Sequence, residues 1–396
     1  MRQIRRRHFL NLGLTVSASF LLAAPLARAT GKPAAGRFVW INLRGAMDGL
    51  HAVVPVFDPA LRDQREALVA PLEQGLLTLD DGFALHPELK TLHAWYREKS
   101  FAPVVAVASP YRERSHFAAQ DVLESGLLPA DEDSGWLARA LRSRGVAGAD
   151  GMAIAQSVPV VLRGKEDART WYPSTLPPAD EDLYQRLLAL YADDAQLHAR
   201  LQEGLATRAG LDMDAMPDAQ ARRPRLAMLA RACGEMLAEN PSLTGVALEM
   251  GGWDTHNQQL GRLAQQFKQL DEGLAALRTA LGAAWSNTVV AVGTEFGRTV
   301  AVNGTGGTDH GTASVMFLAG GALAGGRVLG DWPGLGRAEL QEQRDLRPTS
   351  DIREWLAGAL GLAWGLDDAQ VGSVFAGVKP RRLTAATRAA SGAATG

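Results

Sequence analysis

Four short stretches of the chain concentrate residues that bind anions, move protons or hold metal ions. The first, Leu43-Arg44-Gly45-Ala46-Met47-Asp48-Gly49-Leu50-His51, sets an Arg, an Asp and a His close together, with glycines that let the backbone turn sharply. Taken alone, Asp48-Gly49 fits a turn as readily as a ligand. The second runs Ser109-Pro110-Tyr111-Arg112-Glu113-Arg114-Ser115-His116-Phe117. Ser115 precedes a predicted helix, where free N–H groups and the helix dipole favour an anion, and a serine there can attack a phosphoryl or acyl centre once its proton is removed. The same serine fits a plain N-cap. Arg112 and Arg114 suit a bidentate grip on an anionic substrate. In the third, Glu249-Met250-Gly251-Gly252-Trp253-Asp254-Thr255-His256, residues two apart face one side of an extended segment, so Asp254 and His256 can converge on one ion. An N-cap Asp with a surface His fits equally. The fourth holds Glu295 in Thr294-Glu295-Phe296-Gly297-Arg298-Thr299 and then Gly307-Thr308-Asp309-His310-Gly311. Charged residues beside buried strands are costly unless paired or metal-bound. With Asp48, these groups form a candidate site for a divalent ion.

Short apolar, β-rich runs must position these stretches. They fall at Arg37 to Leu43, Val104 to Ala108, Thr244 to Met250, Asn287 to Val292 and Ser314 to Leu318, and they alternate with helical patterns. That alternation predicts an α/β fold, a doubly wound, mostly parallel sheet with helices on both faces. Continuous apolar runs suit strands buried on both faces, and ligand sites in such sheets lie at the carboxyl ends of the strands. After Asn257, Leu260, Leu263, Phe267, Leu270, Leu274, Leu277 and Leu281 recur at steps of three and four, which predicts a long amphipathic helix ending at Gly282. A Leu- and Ala-rich stretch around 181–238 reads as a helical insert.

Composition narrows the class. Of 396 residues, 46% are hydrophobic and 21% charged, and the mean hydropathy is -0.07, which excludes a disordered tail, a collagen and a coiled coil. A single cysteine, Cys233, excludes an internal disulfide framework and a cysteine-built zinc site. Residues 1–29 read as an export signal: five arginines and no acid, an apolar stretch from Phe9 to Leu26, then Ala27-Arg28-Ala29 as a small-x-small cleavage site. Arg6-Arg7-His8-Phe9-Leu10 is similar to a twin-arginine motif, so the translocase of that pathway is an expected partner and the periplasm or exterior the expected location. Without the leader the chain has 36 basic and 43 acidic residues, a balance of -7, which argues against nucleic acid as a partner. No later stretch approaches the length of a membrane span, so the mature chain is expected to have no stable one. Residues 30–378 read as a single domain and 379–396 as a mobile tail.

The four stretches together resemble a family of exported bacterial proteins, domain of unknown function 1501. The resemblance rests on Leu43-Arg44-Gly45 with Asp48-Gly49-Leu50, Ser109-Pro110 with Arg114-Ser115-His116-Phe117 and Gln120-Asp121, Gly251-Gly252-Trp253-Asp254-Thr255-His256, Glu295-Phe296-Gly297-Arg298-Thr299, Gly307-Thr308-Asp309-His310-Gly311, and Gly326-Arg327-Val328 with Gly330-Asp331-Trp332. That family in turn is similar to the alkaline phosphatase and sulfatase superfamily, which implies an alkaline phosphatase-like fold and one or two divalent ions. It also implies roles: Asp48, Asp254, His256, Asp309 and His310 as metal ligands, Glu295 as a further ligand or base, and Ser115 as nucleophile. Two departures stand out. Only Thr255 separates Asp254 from His256, where the superfamily has three residues, and Thr312 stands where many family members carry a His. Ala108 occupies the place of the sulfatase formylglycine, which argues against that chemistry.

The sequence therefore leads to an expected exported metal-dependent hydrolase of phosphate or sulfate esters, of small molecules or glycans. In it His116 is the general acid, and Arg44 or Arg112 grips the substrate. Zinc, manganese, magnesium and calcium all suit mixed His and carboxylate ligands. The alternative is a non-catalytic periplasmic protein that keeps the fold and binds a metal or glycan. A serine esterase would need a Gly-x-Ser-x-Gly elbow at a strand end, and none occurs.

Overall fold

The computed structural model describes residues 36–145, 150–164, 168–173, 181–210 and 225–386. The export signal at 1–29 lies outside the described residues. Eleven strands are present among them: β1 (Arg37–Leu43), β2 (Val53–Pro55), β3 (Leu77–Thr78), β4 (Phe83–Leu85), β5 (Phe101–Ala108), β6 (Asp150–Ile154), β7 (Arg169–Trp171), β8 (Leu243–Met250), β9 (Thr288–Gly293), β10 (Ser314–Ala319) and β11 (Ser350–Asp351). Eight of them make one sheet in the order β11-β5-β10-β9-β1-β8-β6-β7, and β2-β4-β3 form a small separate sheet. In the large sheet β10 runs antiparallel to β5 and β9, while β1 with β8 and β9, β6 with β7 and β8, and β11 with β5 are parallel. The fold is thus α/β on a mostly parallel sheet, as the alternation of runs predicts.

All five expected strands appear, and each extends at most three residues beyond its apolar run. They are central strands. Every residue of β1, β5, β9 and β10 is buried, so a pattern of uninterrupted apolar residues was their signature. One apolar cluster forms on each face. On one side the helices Leu226–Glu239 and Gln259–Leu281 pack with Val39, Ile41, Leu248 and Val290. Trp136, Leu356 and Phe375, from helical segments on the other side, cover Phe38, Trp40, Ala247 and Ala291. The alternation of Phe38 and Trp40 against Val39 and Ile41 between the two clusters is the period of two that a strand imposes.

Helix Gln259–Leu281 buries Leu263, Phe267, Leu270, Leu274, Leu277 and Leu281 fully, and Gly282 caps it at φ +51°. That positive φ is one glycine adopts without a Cβ penalty. The stretch expected as a helical insert divides in two. Helices Glu181–Leu190 and Ala195–Gly210 carry largely half-buried and exposed positions, whereas Leu226–Glu239 belongs to the core through Leu229, Ala230, Cys233 and Leu237. The first part of the expected mobile tail is tied down: Arg381 pairs with Glu354 at 2.8 Å and lies over Trp355, and Ala385 bridges to Leu323. Residues 387–396 lie outside the described residues. Among the described residues no helix is long and apolar enough to cross a membrane.

Candidate metal centre

Parallel pairing brings the carboxyl ends of β1, β8 and β9 to one edge of the sheet. Because β10 is antiparallel to β9 and β5, its amino end and the carboxyl end of β5 reach that same edge. The four chemistry-bearing stretches follow β1, β5, β8 and β9 or precede β10, so the topology gathers all of them. Two glycines make the approach close enough. Gly45, at φ +117°, passes so near the chain at Asp254 that a Cβ would lie 2.7 Å from the Asp254 nitrogen, and a Cβ on Gly307 would lie 2.3 Å from the His256 carbonyl carbon.

Three imidazoles and one carboxylate converge there. His116 Nε2 and His310 Nε2 are 3.0 Å apart, and His256 Nε2 is 3.1 Å from the same His310 nitrogen. Asp254 Oδ1 lies 3.0 Å from His256 Nε2 and 3.4 Å from His310 Nε2, and its Oδ2 lies 3.7 Å from His116 Nε2. One ligand atom from each of His116, Asp254 and His310 falls within 4.8 Å of the other two. The side chains are about a quarter exposed for His116 and His310 and 44% exposed for Asp254, so the cluster opens to solvent.

The outer partners determine what the convergent nitrogens can do. His116 Nδ1 donates to Glu295 Oε1 at 2.7 Å, His256 Nδ1 to Asp309 Oδ1 at 3.3 Å, and His310 Nδ1 to the Arg114 carbonyl at 3.1 Å. Each partner only accepts, so each Nδ1 carries the hydrogen and each Nε2 of a neutral ring presents a lone pair. Lone pairs 3.0 to 3.1 Å apart repel. A cation between them removes the repulsion; one extra proton would relieve only one contact. Nitrogens about 2.0–2.1 Å from a tetrahedral ion stand about 3.3 Å apart, close to the observed spacing. Metal-bound histidines characteristically donate their other N–H to a carboxylate or carbonyl. The residues present therefore fit a divalent ion.

The electrostatics divide the rings: a raised pKa favours the charged form of His116 and competes with a metal, whereas a lowered one favours the neutral form of His310. The hydrogen bond to Glu295 raises the His116 pKa against the opposing effect of burial. Burial, followed by the neighbouring His116 and Arg298, lowers that of His310, which favours the neutral ring a metal needs. Burial would push Asp254 up, but Arg298 outweighs it and holds the carboxyl below its ordinary value. The Arg298 side chain is fully buried and donates to Asp254 Oδ1 at 2.7 Å and to Thr308 Oγ1 at 3.2 Å, so Oδ1 lies between the guanidinium and the His256 and His310 nitrogens while Oδ2 lies toward His116. Glu295, also fully buried, accepts from Gly45 N at 2.8 Å and Thr294 Oγ1 at 2.7 Å besides His116. Burial raises its pKa and these donors more than reverse the shift. Arg114 adopts φ +60°, a left-handed conformation uncommon outside glycine, and it is the carbonyl of this residue that meets His310.

The other expected site residues are placed as follows. Asp48 does not join the cluster. Its oxygens accept from buried Arg65, 2.9 Å for NH1 to Oδ1, from Gln259 Nε2 at 2.7 Å and from the His51 backbone nitrogen at 3.2 Å; an internal guanidinium holds the position expected for an ion. Glu295 and Asp309 orient histidines instead of facing the cluster. His116, expected as a general acid, turns its Nε2 toward His310 Nε2 in the cluster. Arg44 pairs with Glu249 at 3.0 Å, and Arg112 donates to the Ser109 carbonyl and, at 2.8 Å, to that of Tyr111, so neither points a guanidinium at the imidazoles. Ser115 is exposed at the N-cap of helix His116–Ser125 and makes no capping bond. Thr312 donates to buried Asp345 at 2.8 Å, and Arg114 donates to the same carboxylate. Arg298 and the Arg114 carbonyl were not singled out as site groups; the first was visible only as a charge two residues after glycine-flanked Phe296, and a backbone carbonyl leaves no mark in a sequence.

A family model described as protein of unknown function, DUF1501, matches residues 35–375. No curated protein matches the sequence. Solved structures similar to this chain include the carboxyl-terminal periplasmic domain of EcEptC from Escherichia coli in complex with Zn, at 10% identity, 72% of each chain and a TM-score of 0.39. They also include a putative sulfatase from Bacteroides thetaiotaomicron, at 9% identity over 88% of this chain and 76% of that one, TM-score 0.39. A third is an alkaline phosphatase from the Antarctic bacterium TAB5, at 10% identity over 86% and 98%, TM-score 0.34. Overlaps this loose carry no argument about chemistry, and the α/β architecture stands on the sheet itself. The chain belongs to the DUF1501 family.

Proposed function

We propose that this DUF1501 protein is an exported metal-dependent hydrolase of phosphate or sulfate esters, with one divalent ion held by His116, His256, His310 and Asp254. The observation that carries the reading is the convergence of three lone-pair Nε2 atoms, each imposed by an outer acceptor, beside an ionised carboxylate. When bound, such an ion supplies Lewis-acid polarisation and neutralises developing negative charge. The chain's own groups do the rest. Glu295, Asp309 and the Arg114 carbonyl hold the rings in one tautomer. Arg298 keeps Asp254 ionised and turned. Exposed Ser115 stands at the amino end of helix His116–Ser125, whose first-turn N–H groups favour an anion, and it is the candidate nucleophile. Export rests on the leader with its twin arginines.

A second reading, a metal-binding protein without turnover, has one observation in its favour: three imidazoles and Asp254 supply four donors, the number that closes a structural tetrahedral site. Metal content and turnover separate the cases. The full chain, exported, processed and purified without an affinity tag, is expected to hold about one equivalent of a divalent metal and to hydrolyse 4-nitrophenyl phosphate or sulfate, with Ser115→Ala lacking turnover but keeping the metal. Metal without turnover on any phosphate or sulfate ester supports the second reading. A folded chain that takes up none of zinc, manganese, magnesium or calcium overturns both.

A further inference from the structure

We propose that Asn303 is the positioning residue for His256: through Asp309 it holds the His256 ring with its hydrogen on Nδ1 and the Nε2 lone pair toward His310. The inference deepens the metal-centre reading and rests on it for its consequence, since His256 is one of the groups assigned to the ion. The outer acceptors of the three histidines differ in how firmly they are held. Glu295, behind His116, is fully buried and also accepts from Gly45 N and Thr294 Oγ1. The Arg114 carbonyl, behind His310, belongs to the main chain. Asp309, behind His256, has a side chain 53% exposed, and its contact with Nδ1, at 3.3 Å, is the longest of the three.

An exposed carboxylate needs a holder. The Asp309 main chain is fixed, because its N–H donates to Thr299 Oγ1 at 3.0 Å and its carbonyl accepts from Thr299 N at 2.9 Å, but those bonds leave its side chain free to rotate. Among the described residues the carboxylate has one hydrogen-bond partner besides His256, and that is Asn303, whose Nδ2 donates to Oδ1 at 3.2 Å. The hydrogen of the neutral His256 ring is contested, since Asp309 lies at Nδ1 while Asp254 Oδ1 lies 3.0 Å from Nε2. With Asp309 swung away, the hydrogen would sit on Nε2 and bond to Asp254, and the lone pair a metal takes would be gone.

Asn303 is itself pinned. Its Oδ1 accepts from the Thr305 and Gly307 backbone nitrogens, each at 3.0 Å, which turns Nδ2 toward two groups that only accept, Asp309 Oδ1 and, at 2.9 Å, the His256 carbonyl. The amide therefore has one orientation, and it grips His256 twice: directly at the main chain and through Asp309 at the ring. The loop carrying it is anchored as well. Gln258 and Gln259, where helix Gln259–Leu281 begins, donate their backbone N–H groups to the Thr305 and Gly306 carbonyls at 3.2 and 3.0 Å, using nitrogens that a helix start leaves without an internal partner. Gly307 completes the clamp by lying against the His256 main chain, where a Cβ would overlap.

The test is the nitrogen NMR spectrum of the His256 ring in the metal-free mature chain, at a pH well above the ordinary histidine value so that the ring is neutral, followed by zinc titration of the same protein. The parent is expected to carry hydrogen on Nδ1 and none on Nε2. Asn303→Asp keeps the acceptor for Thr305 N and Gly307 N but sets an oxygen against Asp309 and the His256 carbonyl. It is expected to move the hydrogen to Nε2 and to weaken zinc binding about tenfold, as loss of an outer partner does. Asn303→Ser, which removes the amide, is expected to act in the same direction if the first variant does not melt as a folded protein. Thr305→Val removes another bond to the His256 carbonyl, at 2.7 Å, and none to Asp309, so tautomer and zinc affinity are expected to stay those of the parent. A parent with hydrogen on Nε2, folded Asn303 variants with the parent's tautomer and affinity, or an equal loss in Thr305→Val overturns the proposal. A parent whose Nδ1 hydrogen depends on Asn303 but which takes up no zinc supports the positioning and overturns the metal reading alone.

Discussion

Two carboxylates, Asp48 and Asp254, stand at the same edge of the sheet and meet opposite surroundings. Asp48 is sealed in, and Arg65, Gln259 and a backbone N–H use its oxygens. Burial would raise its pKa, but Arg65 outweighs burial and keeps it ionised. Asp254 has an arginine too, yet Arg298 reaches only Oδ1, which it shares with the nearby His256 and His310 nitrogens, and Oδ2 lies toward His116. The first region brings its own cation. The second gathers three imidazoles around a carboxylate oxygen that Arg298 also engages. A carboxylate after a β-strand is thus closed off or left open to an added ion according to how many of its oxygens the chain's own cations and donors take up.

The contrast breaks most directly at the open region. Replacing Asp254 and His310 together by alanine is expected to abolish metal uptake, measured by inductively coupled plasma mass spectrometry, while the melting temperature of the metal-free protein stays close to that of the parent. Retained metal would place the ion elsewhere. The closed region should respond in the opposite way. Asp48→Asn strands the Arg65 guanidinium and is expected to cost about 3–5 kcal/mol in denaturant unfolding, with metal stoichiometry unchanged in the folded fraction; loss of metal without loss of stability would return Asp48 to the ligand set.

A smaller effect tests the outer partners. Glu295→Gln removes the charge that orients His116, and loss of such a hydrogen-bond partner behind a ligating histidine lowers metal affinity about 10- to 100-fold. Affinity within a factor of two of the parent would mean that His116 is not a ligand. The last test concerns buried imidazoles away from the cluster. His51 and His86 pack 5.2 Å apart against Phe267, and burial lowers their pKa from 6.5 to about 3 and about 4. Below pH 6.5 the unfolded chain binds protons that the folded chain refuses, so stability falls as the pH drops from 6.5 toward 4 and 3. Over the first unit below 6.5 the loss is about 1 kcal/mol per histidine. A His86→Gln variant whose acid denaturation curve overlays that of the parent would remove His86 from this account.

Legibility differed between elements for a physical reason. The central strands were readable because burial on both faces leaves uninterrupted apolar runs, as in Val289-Val290-Ala291-Val292. Strands β6, β7 and β11 were not, since Asp150-Gly151-Met152-Ala153-Ile154 mixes a turn residue with a short apolar run and β11 has two residues. Helix Gln259–Leu281 was legible over six turns of spacing, while Leu226–Glu239 resembled its charged, Ala-rich neighbours and was grouped with them, although packing against Gln259–Leu281 draws it into the core.

By itself the sequence determined the α/β class, the end of the sheet at which polar residues gather, and the motifs carrying Asp254, His256 and His310, because strand burial and local spacing leave their imprint on neighbouring residues. The tertiary structure decided the rest. It matched Asp48 with Arg65, brought His116 beside His310, set Glu295 and Asp309 behind the histidines, and opened a cleft around Trp40, Asn42 and Gln120. Each of those outcomes depends on which distant segment reaches a charge first, and pairings separated by 17 to 250 residues are written in the fold's topology, not in the spacing along the chain.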